Sequence, residues 1–219
     1  MEAVIDSKES KEETISFPEL LSIELANLPK LTRFFHTENT DAPSLFDEKV
    51  GFPKLKFLSL SSINIQQIWQ ISIPKISLEK LFVKDCGNLK YLLMSSVVKS
   101  FEKLMVLMIC DCKMMEQVIS SNELVQEEMM CESFFSKLDT LELEDLPKLA
   151  RLCHGNYSKF KFSMLRRFTI SKCAVLKTLI GDNTVSSENV ENTYPPSLFD
   201  EKVTSALCFS LSFTISFTS

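Results

Sequence analysis

The chain has 219 residues, 45% of them hydrophobic, with 24 basic and 29 acidic side chains and a formal net charge of −5. That length allows one large domain or one repeat array, and that apolar content excludes wholesale disorder. The acidic balance provides no long-range attraction to nucleic acid. Only 4 glycines are present, with neither a phosphate-loop signature nor a dinucleotide fingerprint, which argues against a nucleotide site.

In chain order, residues 1–16 are mostly polar, with a charge cluster at 8–13, and read as a solvated flank. They lack the apolar core of a signal peptide. Together with an odd number of cysteines, 7, this points to a reducing cytosolic or nuclear compartment.

From Phe17 a phrase begins that recurs: an aromatic, two residues, Leu, two residues, apolar, one residue, apolar, two residues, then Leu or Cys. The first copy is Phe17, Leu20, Ile23, Leu25, Leu28, Leu31 and Phe34. The second is Phe52, Leu55, Leu58, Leu60 and Ile63, drifting to Ile65 and Ile68. The third is Leu78, Leu81, Val83, Cys86, Leu89 and Leu92; the fourth is Phe101, Leu104, Leu107, Ile109, Cys112, Met115 and Val118. The fifth and clearest is Phe135, Leu138, Leu141, Leu143, Leu146, Leu149 and Leu152. The sixth is Phe162, Leu165, Phe168, Ile170, Cys173, Leu176 and Leu179. The anchor leucines 20, 55, 78, 104, 138 and 165 recur at intervals of about 23 to 35 residues, against a usual leucine-rich period of roughly 20–29. The long intervals contain polar inserts at 37–49 and 120–132, which are expected on loops.

The apolar-x-apolar pair in each copy alternates as a strand does, both side chains inward and the residue between them outward. The later apolar residues recur every three, which suits an irregular or 3₁₀-like return. One coil cannot bury its own inward face, so neighbours must stack and lay their strands into one parallel sheet. Unrelated strands in an ordinary mixed domain would not repeat a seven-position pattern six times. The expectation is an α/β solenoid: a leucine-rich-repeat horseshoe with a concave parallel β-sheet, an irregular or 3₁₀ convex side and few regular helices. About six coils fill 17–183. Where such repeats often carry asparagine in the turn after the strand, this chain has Cys86, Cys112 and Cys173, small hydrophobes with a weak hydrogen-bonding group.

Residues 184–219 read as a linker, an orphan repeat start and a Ser/Phe-rich tail. Pro-Ser-Leu-Phe-Asp-Glu-Lys-Val occurs at 43–50 and again at 196–203, but only the first copy is followed by a coil. The expectation is an array interrupted at Val203. Beyond it, Leu207, Phe209, Leu211, Phe213, Ile215 and Phe217 alternate with Cys, Ser and Thr, the period of a strand. The uncharged tail is too short and too polar for a membrane helix, so no stable membrane insertion is expected.

Several phrases resemble plant nucleotide-binding leucine-rich-repeat receptors of the coiled-coil disease-resistance class. They are Phe17-Pro18-Glu19-Leu20, Leu28-Pro29-Lys30-Leu31, Leu146-Pro147-Lys148-Leu149, Asp85-Cys86-Gly87-Asn88-Leu89-Lys90 and Ser171-Lys172-Cys173-Ala174-Val175-Leu176-Lys177. The resemblance covers about 17–183 and the orphan start at 195–203. It implies a protein-recognition region of an innate-immunity receptor, binding a pathogen effector, a guarded host protein or the receptor's own nucleotide-binding module, without a cofactor. An alternative is a leucine-rich-repeat substrate adaptor for a ubiquitin ligase, which needs an N-terminal docking motif that residues 1–16 are too short to hold.

The outward residues at the strand centres are Glu24, Ser59, Phe82, Met108, Glu142 and Thr169, and these are expected to line the concave face as its protein-binding surface. Flanking them are Lys56 and Phe57, Glu79 and Lys80, Met105 and Val106, Asp139 and Thr140, and Arg166 and Arg167. The centre is apolar at Phe82, Val106 and Met108, then acidic at Asp139, Glu142 and Glu144, then basic at Arg166, Arg167 and Lys172, a pattern typical of partner sites. Cys110-x-Cys112 is read as structural, one thiol outward and one inward, because a zinc site needs a second ligand pair and no second pair exists. Cys153-His154, with His36 the only other histidine, lacks a group to orient a base, so no enzyme is expected. Trp69, beside Ile68 and Ile71, is read as packing.

Overall fold

The computed structural model describes residues 3–6, 14–36, 44–70, 76–120, 136–153, 164–176 and 212–216. In chain order these hold β1 (Ala3–Asp6), β2 (Ile15–Ser16), β3 (Ser22–Leu28), β4 (Arg33–His36), β5 (Ser44–Phe46), β6 (Val50–Gly51), β7 (Phe57–Ile63) and β8 (Gln67–Trp69). Then follow β9 (Lys80–Lys84), β10 (Tyr91–Met94), a 3₁₀ helix (Ser95–Phe101), β11 (Val106–Cys110), β12 (Gln117–Ser120), β13 (Thr140–Glu144), β14 (Arg167–Ser171) and β15 (Ser212–Ser216). No α-helix occurs among the described residues.

One strand from each coil enters a seven-stranded sheet in the order β15-β14-β13-β11-β9-β7-β3, with every pair parallel. The apolar-x-apolar pairs lie in unbroken cross-coil rows. Ile23, Leu58, Leu81, Leu107, Leu141 and Phe168 form one, and Leu25, Leu60, Val83, Ile109, Leu143 and Ile170 the next. All are buried except Leu25, which is half-buried at the β3 end of the sheet. The anchors Leu55, Leu78, Leu104, Leu138 and Leu165 are buried two residues before their strands begin. The sheet therefore seals one wall of the interior, as the repeat spacing predicts.

Each coil enters its strand through the same hydrogen bonds. The Glu79 carbonyl accepts from the N–H groups of Met105 (2.8 Å) and Val106 (3.0 Å), and the Asp139 carbonyl accepts likewise from Arg166 (2.8 Å) and Arg167 (3.0 Å). Each strand also leaves in one way, through a residue with positive φ: Asn27 (56°), Ser62 (53°), Asp85 (51°), Asp111 (58°), Asp145 (52°) and Lys172 (54°). Asn and Asp tolerate this left-handed region because their short polar side chains bond locally. The N–H groups of Asp85, Asp111 and Asp145 each donate to the last strand residue of the next coil, at 3.0 Å. The thiols of Cys86, Cys112 and Cys173 then turn back to the carbonyls of Lys84 (3.5 Å), Cys110 (3.4 Å) and Ser171 (3.4 Å).

The opposite wall is more ordered than an irregular return. The short strands pair in parallel, β1 with β4, β5 with β8 and β10 with β12, and a lone bridge joins Gln117 to Arg151. The 3₁₀ helix buries Val97, Val98 and Phe101 beneath it. Inside, an aromatic chain runs from Phe17 over Phe52 (5.5 Å between centroids), Phe46 (5.3 Å) and Trp69 (6.1 Å) to Phe101 (4.7 Å). Trp69 is thus a packing residue, as its neighbours suggested.

The first polar insert is not simply a loop. Ser44, Leu45, Phe46 and Asp47 are buried, and β5 carries Phe46 into the aromatic chain. Residues 44–51 fold as strand, turn and strand, the turn closed by the Lys49 N–H donating to Asp47 Oδ1 (2.9 Å). Alternation over three residues is too short a pattern to reveal such a strand. The second copy, at 196–203, and the insert at 121–132 lie outside the described residues. At the other end β15 pairs with β14, Phe213 in register with Phe168 and Ile215 with Ile170. The alternating tail is therefore a strand over 212–216 and extends the repeat sheet.

Two stability outcomes follow. Leu141→Ala removes a fully buried side chain between Leu107 and Phe168, and should cost about 2–5 kcal/mol in urea denaturation. Burial raises the Asp47 carboxyl above its ordinary range despite the Lys49 N–H and charge. A raised folded-state pKa means the charged form opposes folding, so this group favours the fold only while protonated, and that support is lost as pH rises through the acid range. At pH 7, Asp47→Asn keeps the turn acceptor without the charge and should be at least as stable as the parent, while Asp47→Ala should lose about 1 kcal/mol.

Candidate partner-binding face

The face of the sheet turned away from the core is built by register alone. Glu24, Ser59, Phe82, Met108, Glu142 and Thr169 form a single row across six strands. Glu24 is exposed and the other five are half-buried. A parallel row holds Ser22, Phe57, Lys80, Val106, Thr140 and Arg167, and a third holds Ala26, Ser61, Lys84, Cys110, Glu144 and Ser171. Arg166 precedes β14 beside Asp139. Eight of the nine residues expected from the sequence thus lie in these rows, and Arg166 stands at the strand entrance beside them. Thr140 departs from the expectation for its flanking position. It is buried, and its hydroxyl donates to the Asp139 carboxylate at 3.0 Å.

The centre of this face is apolar. Phe57 and Phe82 meet edge to face at 5.3 Å, and Met105 is 45% exposed. Val106 and Met108 of β11 continue the patch. None of these side chains is needed to close the interior, because the inward rows already do so.

Charges surround the patch in a fixed order. Lys56 pairs with Glu79 at 3.0 Å along the strand entrances. Arg166 pairs with Asp139 there too, and its hydrogen bond holds the Asp139 carboxyl below the usual range. At the strand exits the Ser62 hydroxyl donates to Asp85 (2.8 Å), Lys113 pairs with Asp145, and Lys172 lies 3.8 Å from Glu144. Exposed pairs of this kind contribute at most about 1 kcal/mol each, so they bias registry and long-range attraction more than stability.

One cluster escapes a reading along the chain. Cys110 Sγ and the carboxylates of Glu142 and Glu144 lie within 4.8 Å of one another, all half-buried. Cys110 and Glu144 occupy the same sheet row, so cross-coil register was the signal that would have found it. Burial, Glu142, Glu144 and Asp111 push the Cys110 thiol up to about 11. It is therefore protonated at neutral pH and a poor nucleophile. Cys112 is buried, the inward partner that alternation requires. Cys153 is buried as well; His154 lies outside the described residues, as does the side chain of His36.

A sequence model of the leucine-rich repeats of RPS2-like plant disease resistance proteins matches residues 54–187, more than half of the chain. The chain belongs to that family. The resistance-protein match opens just ahead of β7 and runs past β14. The chain is also similar to the "Probable disease resistance protein At4g27220" of Arabidopsis thaliana, at 26% identity over 135 residues. That alignment covers 58% of this chain and 14% of the relative, so the chain spans only a small part of the relative's length. No solved structure matches it. Among the described residues of these resistance-protein repeats, no helix is long and apolar enough to cross a membrane.

Alkylation of Cys110 by iodoacetamide, mapped by mass spectrometry, should be slow at pH 8 and rise toward pH 11, because only the thiolate reacts. Replacing Glu142 and Glu144 with Gln should shift that profile to lower pH.

Proposed function

We propose that this chain is a non-catalytic recognition region of a plant innate-immunity receptor, and that its open sheet face binds a protein partner. The partner class is a pathogen effector, a guarded host protein or the nucleotide-binding module of a receptor, met in the cytosol or nucleus. One observation carries the reading: an apolar patch of Phe82, Val106 and Met108, unused by the core, sits among charged residues on the sheet face that every coil helps to build. Apolar surface retained beside ordered charge favours association over solubility. Membership of the resistance-protein family supports this reading above that of a ubiquitin-ligase adaptor.

The residues proposed to bind are Glu24, Ser59, Phe82, Val106, Met108, Glu142, Arg166, Arg167 and Thr169. Phe82, Val106 and Met108 supply contact area, and the charged members select orientation. No cofactor is needed for such a role.

The test compares two surfaces against one purified candidate partner, for example a receptor's nucleotide-binding module. Arg166→Glu with Arg167→Glu, and separately Met108→Asp, should each weaken binding at least tenfold by calorimetry while circular dichroism and melting stay unchanged. Lys90→Glu with Glu116→Lys, on the return side of the coils, should leave affinity intact. Weakening by the return-side pair alone would place recognition elsewhere.

A further inference from the structure

We propose that the open face is shaped for an amphipathic α-helix laid across the strands, carrying an acidic residue, then an apolar pair, then a basic residue. The inference deepens the recognition reading above and rests on it.

The charge order comes from three consecutive strands. Lys80 and Lys84 of β9 are exposed and flank Phe82. Val106 and Met108 of β11 form the apolar middle. Glu142 and Glu144 of β13 are half-buried on the far side, their carboxylates close enough to crowd each other. Among the described residues Lys80, Lys84 and Glu142 form no ion pair; Glu144 has only Lys172, at 3.8 Å. A half-buried carboxylate beside another carboxylate and a thiol is poorly compensated, and a cation arriving from a partner relieves it. The two lysines ask for the opposite sign. The face thus has a direction, basic to acidic, with methionine and valine between.

Spacing selects the occupant. Neighbouring strands are about 4.8 Å apart, so β9 and β13 are separated by roughly 10 Å. A helix rises about 1.5 Å per residue, which puts positions i and i+7 about 10.5 Å apart, with i+3 and i+4 over the middle strand. An extended segment would find no backbone partners there. β9, β11 and β13 already spend their backbone groups on neighbouring strands, and strand addition needs an edge. A helix satisfies its own backbone and presents only side chains, which is what the face offers in return.

The experiment uses the full chain and stapled helical peptides in fluorescence anisotropy. One peptide has Glu at i, Leu at i+3 and i+4, and Arg at i+7. Two controls carry Glu at both ends or Arg at both ends, and a third is the mixed peptide broken by a central proline. The mixed helix should bind at least tenfold more tightly than every control. Glu142→Gln with Glu144→Gln should abolish its advantage over the all-Glu peptide. Lys80→Gln with Lys84→Gln should abolish its advantage over the all-Arg peptide. A single-sign or proline-broken peptide that matches the mixed helix overturns the proposal, as does indifference to both pairs of substitutions. The two readings fail separately. Equal binding of all peptides that Met108→Asp abolishes would keep the face as a docking surface and remove the charge order. Binding untouched by Met108→Asp would remove both.

Discussion

Parallel register between neighbouring coils is the constraint on which the rest of this structure depends. Leu58, Leu81, Leu107 and Leu141 stand in one fully buried row because their strands pair without a slip. A shift of one residue in any strand would send its apolar pair to the solvent face and turn the outward side chains inside, among them Lys80 and Lys84 in β9 and Glu142 and Glu144 in β13. The carbonyls of Glu79 and Asp139, each accepting two N–H groups of the following coil, resist such a shift at the strand entrance. The left-handed residues such as Asp111 and Asp145 resist it at the exit. Because the hydrogen bonds and the apolar rows favour the same alignment, neither has to be strong alone.

The two ends of the array solve the interior differently. Near the first coils, side chains from five separate segments build an aromatic chain, with Phe46 contributed by an insert. Farther along, aliphatic leucines and cysteines fill the interior, as at Leu146, Leu149 and Cys173. Rings reach farther than leucines, so coils separated by an insert can still be bridged. That explains how unequal repeat lengths coexist with an even sheet: the extra residues are absorbed on the return side, where β5 joins β8, and the strands stay in step.

The same economy explains what could be read from the residues alone. Each strand centre lies at a fixed offset from its anchor leucine, so Glu24, Ser59, Phe82, Met108, Glu142 and Thr169 were identifiable as a row whatever lay between the coils. β1, β2, β5 and β6 were not, since each is only two to four residues long and pairs with a segment outside its own phrase. The burial of Thr140 depends on a hydroxyl contact that no period encodes. The Cys110, Glu142 and Glu144 cluster was hidden for a different reason. Cys110 is separated along the chain from Glu142 and Glu144 by the polar insert and meets them only across the sheet, so a search for ligand spacing in one strand looks in the wrong direction.

A solenoid needs its inward positions apolar and leaves the outward ones unconstrained, so a polar residue at 82 or 108 would serve the fold equally well. Retaining Phe82 and Met108 there risks self-association, and the flanking Lys84 and Glu144 counter it, since a second copy laid across in the wrong order meets like charge. A partner of the proposed kind, presenting the complementary order, would gain both the apolar contact and relief for the paired carboxylates. Area alone would admit many partners; under the proposed reading the order of charges along the coils would separate them, because a mismatched charge left half-buried costs more than an apolar contact of similar size provides.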